Sequence, residues 1–151
     1  MSPSCPISHR RIDSNLVRLI SFQVFLFALL FSVTNSVPVM LIVLFDFIAR
    51  GVRKEKLSPF MWIAKMILEK WQVPPHYTNE APKRFALYLG FAITILILLL
   101  TLSGFAKLGA LLAIVLMICA FLEVLFDFCI GCKIYYGLQL LKVIKYDRNF
   151  N

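Results

Sequence analysis

Four long apolar stretches separated by polar segments dominate the hydrophobic pattern of the chain. A helix needs about 20 residues to cross the bilayer core, and the last two stretches meet this length. Ser103-Gly104 supplies a turn between them. The first two are shorter and flank the polar turn at 34–38. The pattern predicts an all-α membrane protein of one domain, residues 1–151, with four transmembrane helices in two hairpins at about 16–31, 37–49, 85–102 and 105–128.

The first predicted hairpin is short for two full crossings. One straight helix over 16–49 would be about 51 Å long, which is too long for a single crossing, so a turn is required. The hairpin either spans, with Arg18 and Arg50 reaching the interface, or is re-entrant and shielded by the other helices. We favour spanning.

The polar segment between the second and third stretches contains a further helical pattern. Ser58-Pro59 is a typical helix start, because the hydroxyl caps the first turn and proline is tolerated there. Apolar residues then recur with helical spacing from Phe60 to Trp71. This predicts an amphipathic interfacial helix at about 59–71, and we favour an anchoring linker over a partner-binding helix. A tail helix is predicted at about 133–145.

Composition supports the membrane interpretation. The chain is 60% hydrophobic and only 16% charged, which excludes intrinsic disorder and an ordinary soluble domain. The net charge of +8 indicates topology and not nucleic-acid binding, because 15 of the 16 basic residues lie on one predicted side, before or at the ends of the spans. Only Lys107 lies near the other side. Both termini and the middle loop are therefore predicted to be cytoplasmic, with the lipid bilayer as the main partner.

Three carboxylates lie where a membrane disfavours charge. Asp46 is near the end of the second stretch, and Glu123 and Asp127 are near the end of the fourth. Asp46 and Arg50 are four residues apart and can pair on one helix face. One interpretation is a proton or substrate path; the other, which we favour, is interhelical bonding in which carboxylates bind Arg18, Arg50 or Arg84. The path candidates are Lys83, Arg84, Asp46, Arg50, Glu123 and Asp127.

A five-residue segment occurs twice in the chain. Val-Leu-Phe-Asp-Phe at 43–47 recurs at 124–128, each time closing the second helix of a predicted hairpin. The repeat is compatible with duplication of a two-helix unit in parallel orientation, which makes an alternating-access transporter somewhat less favoured.

The strongest chemical motif is the CxxC formed by Cys129 and Cys132 directly after the fourth stretch. Two such thiols can form a disulfide, bind a metal or relay sulfur, and Gly131 between them allows the chain to break the helix and approach a partner closely. Lys133 would lower a neighbouring thiol pKa, whereas Asp127 and burial would raise it. We predict a catalytic thiol pair and no cofactor. A weaker alternative is a metal site of Cys5, His9, Cys129 and Cys132, against the simpler interpretation that Cys5 is a free thiol in the tail.

Several segments in fixed order resemble a known family. They include Asp46-Phe47-Ile48-Ala49-Arg50, Pro82-Lys83-Arg84-Phe85-Ala86 and Phe128-Cys129-Ile130-Gly131-Cys132. In this order they resemble the uncharacterised bacterial family of small four-helix membrane proteins catalogued as domain of unknown function 4395. The resemblance covers nearly the whole chain and implies a bacterial membrane protein of unassigned activity, with Lys83, Arg84, Cys129 and Cys132 at motif positions.

These features support three functional hypotheses. The first is a multi-pass inner-membrane thiol protein for redox or sulfur handling at the cytoplasmic face, where Cys129 is attacked and Cys132 resolves. Its partner would be a cytoplasmic thiol or sulfur-carrier protein. The second is a small transporter or permease component, a homo-oligomer because four short helices enclose little volume. The third is a non-catalytic assembly protein in which the CxxC holds a metal. Whether the protein is an enzyme is left open at this point.

Overall fold

The computed structural model describes residues 11–141, and most of these residues are helical. Two short strands precede the helices that begin the two halves of the chain, and a 3₁₀ turn lies at Glu55–Leu57. The tail residues Cys5 and His9 lie outside the described range. The strands are β1 (Arg11–Asp13) and β2 (Tyr77–Asn79), and the helices are α1 (Ser14–Thr34), α2 (Val37–Gly51), α3 (Pro59–Trp71), α4 (Glu80–Leu102), α5 (Ala106–Phe126) and α6 (Ile130–Leu140).

Four helices surround a common apolar core. Helix α1 contacts α2 and α5, and α4 contacts the same two helices, so the four form a closed ring of neighbours. Large side chains from three of these helices, Phe31, Met40 and Ile97, are fully buried in the centre. Many leucine and phenylalanine side chains remain exposed on the outside of the bundle. An apolar outer surface of this kind suits contact with lipid.

Three helices are long and apolar enough to cross a membrane: α1, α4 and α5. Helix α2 has 15 residues, which corresponds to about 22 Å against about 30 Å of hydrocarbon. The predicted all-helical class is therefore confirmed, and three of the four predicted spans have suitable helices. The length of α2 leaves the fourth span as a prediction.

Helix ends differ from the sequence prediction for local reasons. Helix α5 ends at Phe126 because Asp127 adopts a left-handed backbone conformation, with φ of 51°. Helix α6 begins three residues earlier than expected, because the Lys133 amide donates to the Cys129 carbonyl at 3.1 Å. Helix α4 begins at Glu80 and not at 85, since the Glu80 carboxylate pairs with Arg84 one turn later.

The two short strands were not predicted from the sequence. They pair antiparallel, with Ile12 opposite Thr78, and the Ser14 amide donates to the His76 carbonyl at 2.7 Å. Strands of three residues give too little alternation to be recognised. Their pairing holds the N-terminal ends of α1 and α4 next to each other.

Helix α3 is anchored by a buried polar cluster. It begins as predicted, with the Ser58 hydroxyl accepting from the Met61 amide at 3.1 Å. The Asp46 carboxylate, fully buried on α2, accepts from the Ser58 hydroxyl and from the Phe60 amide at 3.3 Å. Its other oxygen lies 2.6 Å from Arg50 Nη2, so the expected pair four residues apart is present. A carboxylate at a helix N-terminus is favoured by the exposed amides and the helix dipole.

We expect Asp46→Asn to weaken the docking of α3. The substitution keeps the size of the side chain but leaves the Arg50 guanidinium without its counter-charge, which typically destabilises by about 3–5 kcal/mol. Both tryptophans of the chain, Trp62 and Trp71, lie on α3, so their fluorescence reports on this helix directly. Tryptophan emission during thermal unfolding in detergent should show a transition at a lower temperature than in the wild type.

The matched control is Glu55→Gln. It removes an exposed ion pair with Lys65, in which the charged atoms are 3.8 Å apart and both side chains are half exposed. Exposed ion pairs contribute little to the free energy of unfolding, so the thermal transition should stay near the wild-type temperature. Equal transitions for Asp46→Asn and wild type would show that the Asp46 cluster does not anchor α3.

Candidate functional site

A cluster of charged side chains joins three helix ends at one end of the bundle. The Lys83 ammonium lies 3.2 Å from Glu123 Oε1 and 3.4 Å from Asp127 Oδ1. The Ser14 hydroxyl donates to the Asp127 carboxylate at 2.9 Å and lies 3.4 Å from Lys83 Nζ. We call Ser14, Lys83, Glu123 and Asp127 the lysine cluster. It links the starts of α1 and α4 to the end of α5.

The backbone explains why these residues meet. Glu123 lies in the last turn of α5, and the left-handed Asp127 turns the chain so that its carboxylate returns to the same cation. The side chains of Lys83 and Glu123 are 11% and 7% exposed, so neither charge is effectively hydrated. Charges removed from water require close counter-charges, and Lys83 and Glu123 serve as counter-charges for each other.

The two thiols follow immediately after this cluster. Cys129 directly precedes α6, and Cys132 lies in its first turn, where the Cys132 amide donates to Cys129 Sγ at 3.3 Å. Both side chains are partly buried, and both thiols are free. Sulfur at a helix N-terminus is favoured as a thiolate by the unpaired amides there.

Gly131 permits the close contact between α6 and α4. A Cβ atom at this position would lie 2.6 Å from Ala86 Cβ, well inside van der Waals contact. Ring contact between Phe85 and Tyr135, with centroids 5.7 Å apart, joins the same two helices one turn later. The sequence predicted that Gly131 breaks the helix, but the glycine lies in the first turn of α6, and the close approach it permits is to α4 of the same chain.

The surroundings make the two thiols chemically unequal. The neighbouring Cys129 thiol and the positive charge of Lys83 lower the pKa of Cys132, whereas burial and the negative charge of Glu123 act in the opposite direction. The neighbouring Cys132 thiol, burial and Glu123 raise the pKa of Cys129 by more than the hydrogen bond from the Cys132 amide lowers it. Lys133, expected to act on a thiol, instead lies over the Phe128 ring at 5.6 Å. The pKa of Cys132 is therefore below that of Cys129, so Cys132 is the thiol of the pair that ionises first.

An open cavity of about 550 Å³ gives access to the thiols. It lies between β2, the start of α4 and the start of α6. It is large enough for a side chain or a small molecule to reach both sulfur atoms. Its lining includes Tyr77, Lys83, Asp127, Cys129, Cys132 and Tyr136.

The structure separates the sequence-predicted site residues into two groups. Glu123, Asp127 and Lys83 lie together beside the cysteines, whereas Asp46 and Arg50 belong to the cluster that anchors α3. The carboxylates of α5 bind Lys83 and not the arginines named from the sequence.

The remaining arginines have other partners. The Arg18 guanidinium donates to the Val124 carbonyl at 2.7 and 3.0 Å, and Arg84 pairs with Glu80 on its own helix. Spacing along the chain cannot identify a partner on another helix, so the expectation that Arg18 or Arg84 binds these carboxylates is wrong.

Sequence reasoning missed Ser14 as a site residue. The only signal was a short polar segment, Asp13-Ser14-Asn15, at the start of a span. Asp13 is the helix cap that such a segment predicts, since its carboxylate accepts from the Asn15 amide at 3.0 Å. The Ser14 hydroxyl is left free to bind Asp127, which lies far away in the sequence.

The described residues 11–141 contain no group of three or more histidine, cysteine or carboxylate side chains placed to hold a metal ion. The predicted four-ligand alternative needs Cys5 and His9 as well as the CxxC. Since these two lie outside the described range, that alternative stays a prediction.

The fold and the helix composition define the class as a helical, multi-pass membrane protein. The family model described as Domain of unknown function (DUF4395) matches residues 12–139, and the chain belongs to that family. The resemblance drawn from the sequence motifs is thereby confirmed. No curated protein and no solved structure matches the chain.

We expect Gly131→Ala to displace α6 from α4. The added methyl group must move one of the two helices, and overpacking of this kind typically destabilises by about 1–3 kcal/mol. The displacement also changes the surroundings of the neighbouring thiols. Denaturant unfolding and the rates of maleimide alkylation at Cys129 and Cys132 should both change.

Gly137→Ala provides the control on the same helix. A Cβ atom there meets nothing within 4 Å, so the variant should unfold like wild type or slightly later. If both glycine variants have wild-type stability and alkylation rates, the contact between Gly131 and Ala86 does not position α6.

Lys83→Gln should raise the pKa of Cys132. A nearby positive charge favours the thiolate, so its removal shifts the alkylation rate of Cys132 to higher pH and slows alkylation at neutral pH. Iodoacetamide labelling across a pH series, read by peptide mass spectrometry, measures the shift. Lys83→Arg should restore the wild-type profile and Lys133→Gln should leave it nearly unchanged. If the pH profile of Cys132 alkylation in Lys83→Gln is identical to that of the wild type, Lys83 has no electrostatic effect on Cys132.

Proposed function

We propose that this protein is an inner-membrane thiol protein that exchanges disulfides with a thiol partner at the cytoplasmic face. In this proposal α2 completes a fourth crossing, so that α1 and α2, and α4 and α5, form two hairpins. Both termini and the CxxC then lie on the cytoplasmic side, in agreement with the distribution of basic residues.

One observation carries this proposal. Two unequal free thiols lie at a helix start, beside a buried lysine and at an open cavity. A thiol pair needs one sulfur that is stable as a thiolate and a second that can be reached by another molecule. Lys83 supports the first requirement at Cys132, and the cavity supports the second at Cys129.

The exchange follows from these differences. In the oxidised pair, a partner's thiolate attacks Cys129 Sγ, the bond between Cys129 and Cys132 breaks, and Cys132 leaves as a thiolate beside Lys83. The thiol with the lower pKa is the better leaving group. In the reverse direction the Cys132 thiolate attacks Cys129 in the mixed disulfide and releases the partner's thiolate. The partner is a cytoplasmic thiol protein or sulfur carrier.

The other two hypotheses find less support in the contacts. A transport path requires charged groups in series along the bundle, whereas Glu123 and Asp127 bind Lys83 and Asp46 belongs to a separate cluster. Transport, metal-dependent assembly and homo-oligomer formation stay predictions.

Cys132→Ser should trap a mixed disulfide. Without the resolving thiolate, a partner or small thiol bound at Cys129 cannot be released, whereas Cys129→Ser removes the attacked sulfur. Membranes quenched with acid and labelled with a heavy maleimide, then resolved without reductant, show adducts and free thiols directly. Adducts should accumulate in Cys132→Ser and be rare in Cys129→Ser.

Cys119→Ser is the matched control, because Cys119 lies within α5, among the apolar residues of that helix, and not in the CxxC. It should leave the labelling of the other two cysteines unchanged. If Cys129 and Cys132 stay reduced in cells and in oxidant-treated membranes, and neither single variant forms an adduct, the thiol function is refuted.

A further inference from the structure

A second cavity lies inside the helical bundle. It has a volume of about 150 Å³ and is partly open, and residues of α1, α2, α4 and α5 form its mostly apolar walls. A cavity of about this size holds one six-membered ring. Its lining also includes the polar residues Arg50, Lys83, Glu123 and Cys129.

One of these polar groups is a donor without an acceptor. Arg50 Nε is buried and has no hydrogen-bond partner within residues 11–141, although Arg50 Nη2 lies against Asp46. The guanidinium also lies 4.9 Å from the centre of the Phe47 ring, which lines the same cavity. Buried donors normally have partners, so an unpaired one at a cavity indicates a ligand that carries an acceptor.

Cys129 is placed between the two cavities. It lines the inner cavity with Arg50 and Glu123, and it lines the outer cavity with Cys132 and Asp127. Cys132 lines only the outer one. A ligand in the inner cavity would therefore contact Cys129 from the bundle side, while a protein partner contacts both cysteines from the outer cavity.

We propose that the inner cavity binds the ring of a lipid-soluble quinone, which oxidises the pair Cys129 and Cys132. This inference rests on the proposed thiol function and names its electron acceptor. Apolar walls inside a membrane bundle select a ligand that arrives from the lipid phase. The cavity size selects a single ring, the Arg50 donor selects a carbonyl oxygen on it, and the adjacent thiol selects a ligand that dithiols can reduce.

The reaction balances without another reactant. The S–H bonds of Cys129 and Cys132 break and a disulfide bond forms between the two sulfur atoms. The two electrons and two protons pass to the two carbonyl oxygens of the quinone, which becomes a hydroquinone. A partner's thiols then reduce the disulfide by the exchange described above.

A lipid acyl chain would fill the apolar part of the cavity but would leave Arg50 Nε unpaired. It would also be inert toward the thiol. The quinone accounts for the apolar walls, the unpaired Arg50 donor and the adjacent thiol. The two occupants can be distinguished because only the quinone oxidises the thiol pair.

The test uses the whole chain in detergent with Cys5→Ser and Cys119→Ala, so that only the CxxC thiols remain and the cavity wall at position 119 stays apolar. The reduced protein is mixed anaerobically with the short-chain analogue decylubiquinone. Quinone absorbance and free thiols are followed together. We expect one quinone reduced for each two thiols lost. Diamide, a soluble thiol oxidant, serves in parallel as a measure of a competent thiol pair.

Two variants test the location of the site. Ala120→Leu fills the inner cavity, and Arg50→Lys keeps a cation beside Asp46 but removes the unpaired Nε donor. Each should slow oxidation by decylubiquinone about tenfold, the effect of one lost hydrogen bond to a charged group, while oxidation by diamide stays unchanged. Ala92→Leu, on an exposed face of α4 outside the cavity, is the control and should behave like the parent protein.

The outcomes separate the two proposals. If diamide closes the disulfide but decylubiquinone does not, the quinone site is refuted and the thiol function stands. If neither oxidant closes it, the thiol function fails as well. Unchanged quinone reduction in both cavity variants would show that the quinone reacts elsewhere and would overturn the assignment of the inner cavity.

Discussion

The buried ammonium group of Lys83 is the contact on which the arrangement of the site depends. It binds two carboxylates of α5, and the hydroxyl of Ser14 completes the cluster from α1. A lysine removed from water is unfavourable without close counter-charges, so the three helix ends are drawn to one point. Asp127 is held there by its left-handed backbone, and this turn directs the chain into α6. The lysine cluster therefore also determines where the CxxC lies.

A second polar cluster stabilises the bundle at the end of α2 without belonging to the thiol site. Asp46 uses its oxygens to hold the start of α3 and the guanidinium of Arg50. The two clusters divide the charged residues into a structural set and a set beside the cysteines. Arg50 connects them, because it pairs with Asp46 and also lines the inner cavity that reaches Cys129.

Much of the fold followed from the sequence because helical periodicity and apolar length are local properties. The start of α3 at Ser58-Pro59 and the identity of the three long helices were predicted in this way. The repeated segment Val-Leu-Phe-Asp-Phe shows the limit. Its first copy places Asp46 fully buried within a helix, and its second places Asp127 at a left-handed helix end with an exposed side chain. Identical neighbours in the chain gave different environments, because the surrounding helices differ.

The sequence by itself determined the family, the membrane character and the α3 helix, and it supplied the CxxC on which the proposed function rests. These depend on composition, on spacing and on motifs that neighbouring residues carry. Only the tertiary structure decided that Lys83 binds Glu123 and Asp127, that Ser14 joins them, and that Cys129 lies between two cavities. Such contacts join residues about 40 to 110 positions apart. Packing of apolar faces selects them, since a side chain finds its partner only after the helices have been brought together.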